Sequence, residues 1–476
     1  MHLPDCSLPE LLFDRALPEK IAITDPTRAV TYTELAAEIL RVADGLKERG
    51  VRAGDVLAIH LPNSVDYVVA FHAALTCGGV VTPIASYATE ADIATQLELT
   101  GARMTINQGV MDELREHSNS WSGDYPDCDD IACLAMSSGT TGLPKAVQLS
   151  HRNLVANTIQ FSNVVPISGE DTCLAVLPLT HIYGLTALMN TPLFLGCNVI
   201  TQGFTPETFL QVHETHRVNA TFIAPPLAHL FATHPAVDSI DFSSLRVIVS
   251  GAAALNPTIG AKVEARLDAK IYQGYGMTEA SPVTHIAQNT TTPLGSIGQL
   301  LPATEARIVD PMTLRDTEEV GELWIRGPQV MRSYLRNPDA TSSTITTDGW
   351  LRTGDVARRD GDDFYIVDRL KDLILSHGIQ VSPVKLETIL SECPGVEDCA
   401  VVRGYAPNGE EWPVAVIVGS ATDEEVIDYM AERVNRYERI REVRHVAEIP
   451  RSAAGKTLRK HLLIPAAPAT SSQRTQ

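Results

Sequence analysis

Met136-Ser137-Ser138-Gly139-Thr140-Thr141-Gly142-Leu143-Pro144-Lys145 packs four hydroxyl side chains and two glycines ahead of one lysine. Glycine lets the backbone take positive φ, so several amides can turn toward one anion. Ser137, Ser138, Thr140 and Thr141 add hydroxyl donors, and Lys145 adds a point charge. This is the inventory of a polyphosphate cradle. It is not the usual P-loop, where lysine directly follows the last glycine and a helix comes next. The flanks, 131–135 and 146–149, read as short strands. The cradle therefore lies between two strands, and amides and hydroxyls do the holding without a helix dipole. A glycine-rich hairpin tip with no ligand is the alternative.

The 476 residues exceed the size of one core, so two or more domains are expected. A net charge of -20 argues against nucleic acid or an anionic membrane as the main partner. None of the eight cysteines forms a CxxC pair, which fits buried thiols of a reducing, cytoplasmic compartment. No signal peptide is visible at 1–8. The most apolar stretch, 65–85, contains Asp66 and His72 and reads as a buried helix feeding a strand, not a membrane span.

The first third alternates. A hairpin near 22–32 precedes a helix that starts at Thr31 or Thr33 and places Leu35, Ile39, Val42 and Leu46 on one face. Strands at 56–60, 80–83 and 102–106 are separated by helices at 64–75 and 91–100. Residues 115–129 read as a surface loop. After the cradle come a helix at 151–163, a strand at 171–177, an apolar helix, and strands at 198–201, 220–224, 245–250 and 270–273. This is an α/β pattern of doubly wound, mostly parallel sheets. Ligands in such sheets sit past the carboxyl ends of strands, so Gly251-Ala252-Ala253 and Gly274-Tyr275-Gly276-Met277-Thr278-Glu279 are site candidates. From about 295 short strands around 306–310, 322–326, 350–355 and 364–367 form a small β-rich subdomain. Beyond Asp368 lies a compact α+β domain of roughly 100 residues. It has strands at 398–402, 414–418 and 443–448 and a helix near 423–437. The tail after Pro465 reads as disordered.

The cradle, 275–279, 350–355, 368–372 and Pro450-Arg451-Ser452-Ala453-Ala454-Gly455-Lys456 form an ordered set. Together they resemble the adenylate-forming superfamily of acyl-CoA synthetases, adenylation domains and luciferases, and within it the 4-coumarate–CoA ligases and medium-chain acyl-CoA ligases. The resemblance spans nearly the whole chain. It implies an N-terminal ATP- and acyl-binding domain at 1–367, a hinge at 368–371, a mobile C-terminal lid at 372–465 and a tail at 466–476.

The same resemblance assigns roles. Residues 137–145 would hold the β- and γ-phosphates of ATP. Tyr275 would present its ring to adenine, with Gly274 and Gly276 allowing close approach and Met277 beside them. Thr278 would donate to the α-phosphate, and Glu279 would bind Mg²⁺. Asp355 would accept both ribose hydroxyls. Arg369 would be a second ribose or phosphate contact, Lys456 the catalytic lysine and Lys371 the hinge. Taken singly, Asp355 also reads as a turn residue, Glu279 as an acid at a helix N-terminus and Lys456 as a solvated lysine.

The acyl pocket is expected between His181, Tyr183 and Ala187 on one wall and Gly251, Ala252 and Gly274 on the floor, with Pro282 near the entrance. Packing is the alternative for these residues. Such a pocket suits an aryl or medium-length acyl chain. No Asp stands near Thr180-His181 to meet an ammonium, which disfavours α-amino acids, and His181 would gate the carboxylate. Coumarate ligases commonly carry lysines where this chain has Leu375 and His377. Gln380 matches the family, while Lys385 stands where an acid is common. The expected enzyme is an AMP-forming acid–thiol ligase using ATP, Mg²⁺ and coenzyme A. An adenylating enzyme that loads an acyl carrier protein is the alternative. A retired nucleotide-binding regulator and a luciferase-like oxygenase are the remaining readings.

Overall fold

The helices of the first third are set by hydroxyl caps. Thr31 accepts the Glu34 amide while Glu34 returns to the Thr31 N–H, and the helix Tyr32–Glu48 turns Leu35, Ile39, Val42 and Leu46 inward. Ser64 caps the helix Val65–Thr76, whose 12 residues are all buried. Asp66, the charge inside it, is held by Arg28 at 2.9 Å, by Gln108 at 2.8 Å and by Arg115. A charge in the most apolar stretch is thus a paired one.

The computed structural model describes residues 1–14, 16, 19–117, 121, 123–138, 144–377, 379–405, 410–451 and 457–463, with Ser138 and Gln380 described by backbone alone. Packing divides the chain into two units. The larger comprises Met1–Arg307, Trp324–Thr353 and Gly361–Phe364, and the smaller comprises Ile308–Leu323, Gly354–Asp360 and Tyr365–Gln476.

The larger unit contains two sheets. One has six strands in the order Ser333–Tyr334, Pro144–Ser150, Ile131–Ser138, Val80–Pro83, Val56–Ile59, Met104–Ile106. The other has nine: Gln299–Leu300, Val283–Ile286, Lys270–Gly276, Val247–Ser250, Ala220–Ile223, Thr172–Ala175, Asn198–Thr201, Ile21–Thr24, Ala29–Thr31. Pairing is parallel along the middle of each, as the βα alternation predicts. Antiparallel strands extend them. Both candidate motifs lie on these antiparallel additions: Ile131–Ser138 with Pro144–Ser150, and Lys270–Gly276 with Val283–Ile286.

Several helices were not expected. Pro225–Thr233, Pro257–Leu267, Pro338–Thr344 and Pro383–Leu390 each begin with proline, and Gln108–Arg115 follows a capping Asn107. The expected apolar helix past residue 183 is a π-helix, Gly184–Asn190, running into Thr191–Leu195. Four strands, Glu305–Val309, Val320–Arg326, Leu351–Asp360 and Asp363–Arg369, form a sheet in that order, which is the expected β-rich stretch.

In the smaller unit the hairpin Ile374–Ser376 with Ile379–Val381 accompanies a sheet of Val396–Tyr405, Glu411–Gly419 and Glu442–His445. Val426 and Met430 of the helix Asp423–Ala431 enter its core. That helix stops short of the expected 437, because Asn435 opens a new 3₁₀ turn at Arg436–Glu438: its carbonyl accepts from Glu438 N–H at 2.9 Å, and its own N–H donates to the Glu438 carboxylate at 3.0 Å. Among the described residues no helix is long and apolar enough to cross a membrane.

Candidate active site

The cradle strands pair in register, with Ser137 opposite Lys145 and Ser138 opposite Pro144. The loop between them, Gly139, Thr140, Thr141, Gly142 and Leu143, lies outside the described residues. Lys145 and Val147 share one face of their strand, because side chains alternate with period two. Tyr334 lies directly across from Val147 on the neighbouring strand. Lys145 is therefore the diagonal neighbour of Tyr334, and its ammonium sits 4.7 Å from the centre of that ring.

The Tyr334 hydroxyl donates to Glu279 Oε1 at 2.8 Å. Burial, followed by the Glu279 carboxylate, pushes the phenol well above its usual range. The Glu279 side chain is buried, and its backbone carbonyl accepts from Met331 N–H at 2.8 Å. Thr278 and Glu279 stand on a three-residue 3₁₀ turn, so no long helix dipole accounts for the acid. Lys145 and Glu279 make no ion pair among the described residues. A cation and a carboxylate thus flank one tyrosine, and neither is neutralised by the other.

The motif at 274–279 is shaped by its own hairpin. A Cβ on Gly276 would fall 2.0 Å from Pro282 O, so only glycine fits there. On Gly274 it would be 3.5 Å from His285 O, an ordinary contact. The Gly276 requirement is internal, whereas Gly274 leaves room for a ligand. Tyr275 packs edge-on to His285 at 5.8 Å, and His285 packs on Phe364 at 4.7 Å. Gln273, just upstream, accepts from Leu255 N–H at 2.8 Å and donates to Ser296 O at 2.6 Å. That fixes the loop after Gly251. Ala252 there has φ +68°, a left-handed conformation unusual for a residue with a Cβ and frequent at ligand sites.

Of the expected acyl pocket, Tyr183 and Gly251 meet: a Cβ on Gly251 would be 3.2 Å from the Tyr183 ring. The Tyr183 hydroxyl donates to Val249 O at 3.2 Å. His181 is exposed, and its Nδ1 accepts from Tyr183 N–H at 3.2 Å. Ala187 is fully buried on the π-helix, and Pro282 caps the hairpin whose carbonyl excludes a side chain at 276.

In the smaller unit Arg369 Nε lies 3.2 Å from Asp355 Oδ1. The two expected ribose contacts are therefore side by side. Asp368 is buried and accepts from Ser382 Oγ at 2.6 Å and Val384 N–H at 3.1 Å; burial pushes its carboxyl up. Lys371 is exposed, and its carbonyl accepts from Arg403 at 3.0 Å. Gln380 pairs with Leu375 in the hairpin. Lys456 lies outside the described residues, but both stems of its loop are fixed. Leu458 N–H donates to Pro450 O at 2.8 Å, Arg451 meets Asp398 at 2.7 Å, and Arg459 meets Glu387 at 2.6 Å.

Residues not singled out from sequence complete the frame. Tyr334 is one. Asn153, Asn157 and Gln160 on the helix His151–Ser162 are the others, tying it to the backbone of Pro328, Val330, Val283 and Pro302. Three amides at helical spacing on one face were a readable signal.

The sequence profile of AMP-binding enzymes matches residues 13–335, and that of the AMP-binding enzyme C-terminal domain matches 385–456. This chain belongs to the AMP-binding enzyme family. A 4-coumarate--CoA ligase 2 of Nicotiana tabacum is 36% identical over 485 residues, covering 91% of this chain and 88% of that protein. ATP-bound MatB from Rhodopseudomonas palustris superposes with a TM-score of 0.90 at 25% identity, over 96% and 98% of the two chains. The o-succinylbenzoate CoA synthetase of Bacillus subtilis, in complex with the acyl-adenylate intermediate OSB-AMP, has a TM-score of 0.87 at 27% identity, over 98% and 99%. The α/β fold and the adenylate-forming ligase class expected from the motifs are borne out. In this AMP-binding enzyme the cluster of Lys145, Tyr334 and Glu279 belongs to the region matched by the larger profile.

Proposed function

We propose that this AMP-binding enzyme activates an aryl or medium-chain carboxylic acid with ATP and transfers the acyl group to coenzyme A. The observation that carries the reading is that Lys145 and the buried Glu279 both meet Tyr334, with no ion pair for either among the described residues. In the first step a substrate carboxylate oxygen attacks the α-phosphorus, the bond to the bridging oxygen breaks and pyrophosphate leaves. An anion approaches a polyanion, so groups that offset negative charge are the main need. Residues 137–145 hold the β- and γ-phosphates, and Thr278 donates to the α-phosphate. Gly274, Tyr275, Gly276 and Met277 form the adenine side, and Asp355 and Arg369 take the ribose. His181 gates the carboxylate, and Tyr183, Ala187, Gly251, Ala252 and Pro282 surround the acyl group. In the second step a thiol attacks the acyl carbon and AMP leaves.

Mg²⁺ fits Glu279. Oε1 takes the Tyr334 hydroxyl, and Oε2 has no hydrogen bond or ion pair among the described residues. A buried anionic oxygen with one lone donor suits a hard cation that takes one carboxylate plus phosphates and water. When bound, the ion supplies charge neutralisation on the phosphates.

The carrier-protein reading is kept on one observation. Leu375, at a position commonly lysine in coumarate ligases, is 51% exposed, and His377 is engaged by Glu410 at 2.6 Å and Arg441 at 2.5 Å. A phosphopantetheine arm brings the thiol without a nucleotide. The eight cysteines are free, consistent with a cytoplasmic setting. Pyrophosphate exchange with a panel of aryl and medium-chain acids tests the first step, and adding coenzyme A or a phosphopantetheinylated carrier tests the second. Exchange with no acid on the panel overturns the reading.

A further inference from the structure

We propose that Tyr334 is a positioning residue that keeps Lys145 and Glu279 apart, so that each keeps its charge for the nucleotide and its ion. This rests on the reading that Lys145 meets phosphate and Glu279 meets Mg²⁺. The ammonium lies over the face of the ring at 4.7 Å, and the carboxylate sits at its hydroxyl at 2.8 Å. The tyrosine therefore engages both charges, one at its face and the other at its hydroxyl, and neither is paired with the other among the described residues. Opposite charges attract across a partly buried site, and an ion pair between them would have to be broken before either group could serve a ligand. The π-face holds the ammonium by its quadrupole without supplying a counter-charge. The hydroxyl orients the carboxylate while leaving Oε2 open.

The Tyr334 backbone is itself held in place. Its N–H donates to Thr341 Oγ1 at 3.0 Å. Ser333 Oγ donates to Gln148 at 2.6 Å, and Leu335 N–H donates to Ala146 O at 2.8 Å. Met331, three residues upstream, donates its N–H to the Glu279 backbone. One short segment, 331–335, thus grips both the lysine strand and the glutamate turn.

Calorimetry of ATP binding, with Mg²⁺ and with EDTA, separates the roles. In the wild type Mg²⁺ tightens binding, and Glu279→Gln removes that increment. Tyr334→Phe keeps the ring and loses the hydroxyl. Its affinity for metal-free ATP stays at the wild-type level while the Mg²⁺ increment falls about tenfold, the scale of a hydrogen bond to a charged group. Tyr334→Leu loses both, so metal-free ATP also weakens about tenfold as Lys145 pairs with Glu279. Adding Glu279→Gln to Tyr334→Leu frees the lysine and restores metal-free binding. A merely structural tyrosine would not give that rescue. A full Mg²⁺ increment in Tyr334→Phe, or no rescue in a folded double variant, overturns the proposal while the Glu279 reading stands. If Glu279→Gln leaves the increment intact, the Glu279 reading falls first and the proposal with it.

Discussion

Asn157 satisfies both backbone polar groups of Val283: its amide donates to the carbonyl at 2.7 Å, and the Val283 N–H returns to its Oδ1 at 2.9 Å. The helix that follows the cradle strand is thereby locked to the strand that follows Glu279. Asn157→Leu leaves two buried backbone groups unpaired, each costing about 1–3 kcal/mol. Urea unfolding is expected to show a loss of about 2–4 kcal/mol. Pyrophosphate exchange is expected to fall by more than the folded fraction accounts for, because Thr278 and Glu279 lose their anchor. Exchange that tracks the folded fraction alone would assign Asn157 to stability only.

Gly274 and Gly276 are two residues apart, and their environments separate them. Gly276→Ala places a methyl 2.0 Å from Pro282 O, so the hairpin must open and the Glu279 turn must shift. The expected outcome is loss of pyrophosphate exchange together with a lower melting temperature. Gly274→Ala meets only His285 O at 3.5 Å. It is expected to keep its melting temperature and to weaken ATP binding. Equal effects of the two on stability would remove the distinction.

How much of this was legible in the residues follows from their spacing. The strands at 80–83 and 198–201 and the cap at Thr31 were read because periodicity and hydroxyl capping are local signals. The helices at Pro257, Pro338 and Pro383 were not expected, although a capping residue precedes each proline. Asn256, Asn337 and Ser382 just before them accept backbone hydrogen bonds as caps, and proline then suits the first helical position. Tyr334 could not be reached that way. Its partners stand 55 and 189 positions away in sequence, and only strand pairing across the sheet edge unites them. Gly276 was assigned to ligand access, and nothing local announces that Pro282 folds back on it.

Lys456 and Lys371 are expected to divide the two half-reactions. The stems of the Lys456 loop are held by Arg451–Asp398 and Arg459–Glu387. Lys456→Ala should therefore leave the smaller unit folded. It is expected to lose about 100- to 1000-fold in adenylate formation, the usual scale for one preorganised charge-stabilising group. Much of the thioester step from supplied acyl-adenylate should remain. Lys371→Pro restricts φ at the proposed hinge and is expected to spare adenylation and block thioester formation. Equal loss of both half-reactions in Lys456→Ala, or normal overall turnover in Lys371→Pro, would remove the respective role.

Four buried histidines set an acid limit on the larger unit. Burial lowers His72 and His285 to about 3 and His151 and His213 to about 4. In the unfolded chain each titrates near 6.5, so below that pH the unfolded state binds more protons than the folded one. Stability is therefore complete above about pH 6.5 and drains as the pH falls toward about 4. Per histidine the loss between pH 7.5 and pH 5 comes to about 2 kcal/mol. His72 is the cleanest probe. It packs between Phe13 at 5.1 Å and Phe71 at 5.2 Å, and neither ring nitrogen has a hydrogen-bond partner among the described residues. A leucine there breaks no polar contact and removes one titrating group. Urea unfolding of His72→Leu is expected to lose about 2 kcal/mol less than the wild type on going from pH 7.5 to pH 5. An unchanged loss would mean that His72 is already protonated in the folded chain, and the apolar burial that surrounds it would then have to be relieved by water or a counter-charge.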